Sequence, residues 1–354
     1  MSMARWNADA AEARFREVAF RRLPLACMAG AAAVAAWCGA GWTETLGPLP
    51  WIVSLGFVGL PHGAADFAAS RRACRGWSLV LVWLAYAAAM AAVAAGFAVA
   101  PAPAIVAFAA VSCWHFGAAH RDGEPPGGDL TPRPLAALCR GCAVLAMPLA
   151  VWPEATARAA SNLAALAIGE PAAAALFPAA TVRAAGIALA AVTVTTVAAE
   201  GLLAARRPGG LRAWFRLLSE LATIVGLGWF AAPLFAVGLY FLIWHAWRQM
   251  PPLAESLTGS APGSWRQLGA ALLQIHVAAV PLLIPTWIAI GAVWWWGSAG
   301  HSLRDLAIVS IGGYLVVTPA HEMLGDLLRA LAARGRPQPA ASGSRNLPIA
   351  RNFA

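Results

Sequence analysis

Four histidines of this chain sit where a histidine is expensive. His62 in "GLPHGAAD" (59–66), His115 in "CWHFGAAHRD" (113–122), His245 in "YFLIWHAWRQM" (240–250) and His321 in "TPAHEMLGDLL" (318–328) each interrupt a run otherwise apolar enough to cross a bilayer. Ionisable side chains in such runs are rare and usually face the bundle interior or a cavity, so each is a functional candidate. One alone is as readily a hydrogen-bonded structural residue. Four neutral imidazoles from four helices, meeting at one level, are a donor set for a transition metal such as iron(II).

Their neighbours add detail. His62 and Asp66 are spaced i,i+4, so the carboxylate can accept the second N–H of a metal-bound imidazole. Pro61 with Gly59 and Gly63 predicts a kink or a close helix approach there. Gly117, just after His115 and Phe116, suggests room for a flat apolar ligand. His120 lies five residues beyond His115, about 140° round a helix, and is expected to meet solvent or headgroups. His245 and Gln249 are again i,i+4. Glu322 either supports its histidine neighbour or reaches for the cytoplasm, the second being the expectation. His276 is a reserve ligand, and His301 falls in an outer loop.

The elements that carry these residues must be membrane helices. Of 354 residues, 60% are hydrophobic and 12% charged, with a mean hydropathy of +0.66, which is an all-α polytopic transmembrane composition. Spans of about 20 apolar residues are predicted near 23–42, 49–70, 77–99, 102–119, 135–152, 181–204, 214–232, 234–250, 268–290 and 303–328, about ten in all. The Ala-rich stretch 153–180 can lie along the surface or re-enter. Domain boundaries follow: 1–22 as a cytoplasmic N-terminal segment, 23–330 as the helical domain and 331–354 as a disordered cytoplasmic tail.

The net charge of +9 is carried by arginine alone, in the gaps between apolar runs. With the N-terminus in the cytoplasm, Arg71, Arg72, Arg75, Arg121, Arg133, Arg206, Arg207, Arg212, Arg248, Arg266 and the arginines from Arg329 all fall inside, and the opposite loops hold few. Both termini are then cytoplasmic. On that topology the four histidines lie in the inner halves of the even-numbered spans, and Trp294, Trp295 and Trp296 mark the outer interface. No basic stripe with interleaved aromatics points to nucleic acid. The six cysteines have no extracellular spacing, so "CRGC" (139–142) is read as core and not as a redox or metal motif.

On these residues the chain resembles the Brp/Blh family of bacterial and archaeal membrane β-carotene 15,15′-dioxygenases. "GLPHGAADFA", "WHFGAA", "YFLIWHAWRQM" and "TPAHEMLGDLL" occur in the family's order across most of the chain. The resemblance implies cleavage of the central double bond of β-carotene by O2 to give retinal, with Fe(2+) as cofactor, in the bacterial inner membrane, and leaves room for a functional link to a rhodopsin. It places His62, His115 and His245 at metal positions, His321 at the C-terminal histidine site and Asp66 at the family's acid. Phe57, Trp114, Phe116, Phe241 and Trp244 become candidate walls of a tunnel open to the bilayer. Gln249 departs from the family's His-x-x-x-His, His120 stands where the family has an aspartate, and the last motif reads Pro-Ala-His in place of Pro-His. Glutamine offers only a neutral oxygen, which leaves His120, His276 or water to complete the set. Cleavage of another carotenoid, or a silent homologue that only binds carotenoid or retinal, remains an alternative. The His-rich boxes of membrane desaturases are absent.

Overall fold

The computed structural model describes the backbone of residues 3–122, 133–298 and 300–334, and within these the side chains of 10–65, 67–120, 134–298 and 300–327. Every regular element among the described residues is helical. Lipid cannot satisfy backbone N–H and C=O groups, so long apolar runs close their hydrogen bonds internally as helices. In chain order they are α1 (Met3–Glu17), α2 (Leu23–Cys38), α3 (Leu49–Gly56), α4 (Gly59–Ala64), α5 (Asp66–Ala73), α6 (Trp77–Val99), α7 (Pro101–Asp122), α8 (Arg133–Val151), α9 (Pro153–Ile168), α10 (Ala179–Ala204), α11 (Gly210–Phe230), α12 (Pro233–Leu239), α13 (Met250–Thr258), α14 (Trp265–Gly297) and α15 (Leu303–Arg334). Short helical turns lie at Gly41–Thr45 and Glu170–Ala173, and π-helical turns at Val18–Arg22 and Tyr240–Ala246.

Eight stretches of described helix are long and apolar enough to cross a membrane. The two remaining candidate spans differ in kind. α11 carries Arg212, Arg216 and Glu220, and α12 with its π turn is short. The chain is a multi-pass transmembrane helical bundle of about ten spans.

Three stretches near the expected boundaries bear on how the bundle is built. The chain does not pause at residue 22, because α1 runs through the π turn into α2. The Ala-rich stretch forms α9, whose Leu163 packs on Ile308 and Leu315 of α15, next to Phe97 and Ile105 at the adjoining ends of α6 and α7. It therefore covers that end of the bundle. At the other terminus α15 continues to Arg334, into the segment expected to be disordered. Residues 335–354 lie outside those described, as do the side chains of Arg121, Arg133 and the arginines from Arg329.

Two packing features place the site. A Cβ on Gly117 would lie 1.7 Å from the Ala137 carbonyl oxygen, and one on Gly141 would lie 1.6 Å from that of Cys113. Glycine lets these backbones touch, the usual way that membrane helices gain van der Waals contact. Gly117 is thus spent on the α7–α8 contact and not on a ligand. The second feature is the π turn at Tyr240–Ala246, whose i→i+5 bonding widens the helix. It brings Tyr240 onto the side of His245, and both rings meet Phe116, at centroid separations of 5.3 and 4.9 Å.

Candidate functional site

The four intramembrane histidines come together. His62 arrives from α4, His115 from α7, His245 from the π turn and His321 from α15. Their ring centroids are 5.6 Å apart for His62–His245, 5.4 Å for His62–His321, 4.6 Å for His115–His245 and 5.5 Å for His115–His321. Four close pairs among four rings close a ring of imidazoles. His62, His115 and His245 are buried and His321 is half-buried.

Hydrogen bonds define their outward nitrogens. His62 Nδ1 is 3.1 Å from the Val58 carbonyl oxygen, and His115 Nδ1 is 2.6 Å from Glu322 Oε2. An acceptor at Nδ1 holds the proton there and leaves Nε2 as the electron-pair donor, the arrangement that a ligating imidazole needs. His115 Nε2 faces His245 Nε2 at 3.0 Å. With its own proton on Nδ1, His115 accepts at Nε2, so His245 donates. The buried His245 Nδ1 is then left without a hydrogen-bond partner among the described residues.

This chemistry fits a metal in its donors more than in its present pose. Among the described residues no group of three or more His, Cys, Asp or Glu side chains is disposed to hold a metal ion, and His115 and His245 bond to each other. The fit lies in the spacing and the orphaned atom. Nitrogens bound at about 2.0–2.1 Å to one cation, at right angles, stand roughly 3 Å apart, as these two do. Moving the His245 proton to Nδ1 would free both lone pairs for one ion.

Beside the ring lies a cavity of about 40 Å³, lined by His62, His115 and His321 together with Phe116, Phe241 and Tyr314. That is space for about three water-sized molecules. Its apolar wall is tightly built. Phe241 stacks on His245 with centroids 5.6 Å apart and 17° between planes, and Tyr314 meets Phe241 edge-on at 4.7 Å while its hydroxyl pairs with Ser54 Oγ at 2.8 Å.

Of the five aromatic residues read as tunnel walls, Phe116 and Phe241 line this cavity. Trp114 and Trp244 each precede a clustered histidine by one residue, so helical rotation turns them away. Trp114 is partly exposed, and Trp244 is fully buried against His120. Phe57 is exposed and stacks on Trp247 with centroids 5.9 Å apart.

The polar expectations also shift. Asp66 begins α5, and its side chain lies outside those described. Among the described side chains, Glu322 meets a clustered histidine, His115, and does not reach for the cytoplasm. His120 is buried, with Nε2 2.7 Å from Glu220 Oε2. His276 puts Nδ1 2.7 Å from the Leu272 carbonyl and Nε2 3.1 Å from that of Gly56, so it ties α14 to α3. Gln249 lies with His120, Trp244 and Arg248 around a second narrow gap, which His245 and Phe116 also line. Two of the three motif departures, His120 and Gln249, are therefore neighbours, and neither lines the cavity.

The fold and the site together define a multi-pass helical membrane protein with a ring of four histidines, three of them buried. Residues 53–329 match the family model described as "Beta-carotene 15,15'-dioxygenase", and the chain belongs to that family. It is 31% identical, over 287 residues, to the Halobacterium salinarum protein described as "Probable beta-carotene 15,15'-dioxygenase Blh", which covers 75% of this chain and 79% of that protein. No solved structure matches.

Proposed function

We propose that the chain is an iron(II)-dependent oxygenase that cleaves the central 15,15′ double bond of β-carotene with O2 to give retinal. The observation that carries this reading is the closed ring of His62, His115, His245 and His321 beside an apolar cavity. Family membership and the printed description of the Halobacterium relative support carotenoid cleavage as the activity. A bacterial inner-membrane location with both termini in the cytoplasm belongs to the same proposal.

In this reading the four histidines hold Fe(2+), which when bound supplies the chemistry with O2 that side chains lack. The chain's own contribution is placement. The Val58 carbonyl and Glu322 hold the Nδ1 protons of His62 and His115, so that both rings offer Nε2 inward. Phe116 and Phe241 keep the cavity apolar and limit water. With Tyr314 they form the apolar lining beside the histidines against which a polyene would lie.

Expression in β-carotene-producing cells tests the reading. Loss of orange colour with formation of retinal is expected, and His62→Ala should abolish both while the protein still accumulates in the membrane. Persistent β-carotene and no retinal from folded wild-type protein would sink it.

A further inference from the structure

The intramembrane groups left over by this reading form a second hydrogen-bonded chain. Arg21 Nε in the first π turn is 2.5 Å from Glu220 Oε1 of α11, Glu220 Oε2 is 2.7 Å from His120 Nε2 of α7, and His120 Nδ1 is 3.4 Å from Trp244 Nε1. His120, Glu220 and Trp244 are buried. The donors converge on the Glu220 carboxylate. Glu220 accepts from both Arg21 and His120 Nε2–H, which leaves His120 Nδ1 as the lone pair that receives the Trp244 indole N–H. A buried indole N–H needs an acceptor, and this one exists only in the tautomer that Glu220 holds.

The position of this chain gives it a consequence. His115 and His120 stand on the same helix, and Trp244 and His245 are consecutive in the π turn. Two rungs therefore join the same two elements, His115 to His245 at 3.0 Å and His120 to Trp244 at 3.4 Å. A π turn is a rare winding, found mostly as a single turn within an α-helix and often at a functional site. We propose that His120, held by Glu220, is a positioning residue: through the Trp244 indole it sets the π turn so that His245 faces His115. This rests on the four-histidine reading above.

Cobalt(II) titration of the full chain in detergent, followed by absorption and equilibrium dialysis, tests it alongside retinal formation. Partners of ligating residues typically cost ten- to a hundredfold in metal affinity when removed. His120→Ala and Trp244→Phe should each weaken cobalt binding about tenfold or more, and the double variant no further than the worse single, because both break one rung. His120→Gln should restore most of the affinity, since its amide can accept from the indole and donate to Glu220 at once. Trp247→Phe is the control for simple loss of an indole, because that N–H goes to the Ala19 carbonyl, and it should leave cobalt binding unchanged. Wild-type affinity in His120→Ala and Trp244→Phe, even with lowered thermal stability, overturns the positioning role while leaving the four-histidine reading standing. Multiplying effects in the double variant overturn it too. If the wild type binds no cobalt and His62→Ala changes nothing, the four-histidine reading fails and this inference falls with it.

Discussion

Glu322 Oε2 stands 2.6 Å from His115 Nδ1, a contact between side chains 207 residues apart in sequence. It gives His115 the carboxylate–imidazole arrangement that fixes tautomer and ring orientation in metal sites. Removing the acceptor frees the ring to turn and the proton to move to Nε2, where it blocks ligation. Glu322→Ala should therefore cost about ten- to a hundredfold in iron retention or turnover. Glu322→Gln, whose amide oxygen can still accept, should cost less. Iron content and retinal formation measured together check this, and wild-type values for Glu322→Ala would refute it.

Gly117 gives a prediction of a different kind. The α7–α8 contact leaves no volume for a methyl group, since its carbon would sit 1.7 Å from a backbone oxygen that cannot rotate away. Gly117→Ala must push the helices apart, and His115 is two residues upstream. Overpacking of this sort costs about 1–3 kcal/mol, sometimes more. Thermal unfolding in detergent should show a lowered midpoint, with retinal formation falling further than stability alone explains. Gly56→Ala, at a position with open space around it, should leave the midpoint unchanged.

The particular residues show how much of this the sequence carried. Spans were legible because a bilayer imposes length and apolarity, and the four histidines because each broke that rule. Their convergence was legible only through the arginine alternation, which puts them at one level. The supporting groups were not. Asp66 was the nearby carboxylate, whereas Glu322 reaches its histidine across the fold, and no local spacing announces a partner 207 residues away. Glu220 and Glu200 broke the same rule as the histidines, being acids inside apolar helices, and that signal would have found them. Gly117 was read for what its neighbour might bind, although small residues at membrane-helix contacts are the commoner case. The π turn carries no signature in residue type, so the tilt that brings Tyr240 beside His245 was invisible.

Gln249 now carries a weaker prediction than its sequence position suggested. The family-like spacing from His245 marked it as the missing ligand, but the chain leaves the π turn there and Gln249 lines the gap with His120 and Arg248. Gln249 is half-buried and does not line the cavity beside the four histidines. Gln249→Ala should keep retinal formation within about twofold of wild type, and Gln249→His should bind no additional iron. His276→Ala should likewise leave iron content unchanged, because its contacts are the backbone carbonyls of Leu272 and Gly56. A large gain of activity in Gln249→His would return that residue to the site.

Arg140 and Glu200 test the bundle without touching the histidines. Arg140 Nη1 of α8 is 3.1 Å from Glu200 Oε1 of α10 and 3.1 Å from the Ala136 carbonyl, with both side chains buried. Deleting one partner of a buried pair leaves a charge in a low-dielectric interior and costs about 3–5 kcal/mol, whereas replacing both with apolar groups of similar size is often neutral. Arg140→Ala and Glu200→Ala should each lower the unfolding midpoint sharply, and Arg140→Met with Glu200→Leu should recover most of it. The metal content of whatever folds should be unchanged, since neither residue meets the ring of histidines. Equal losses in the single and double variants would mean that the pair does more than balance charge between α8 and α10.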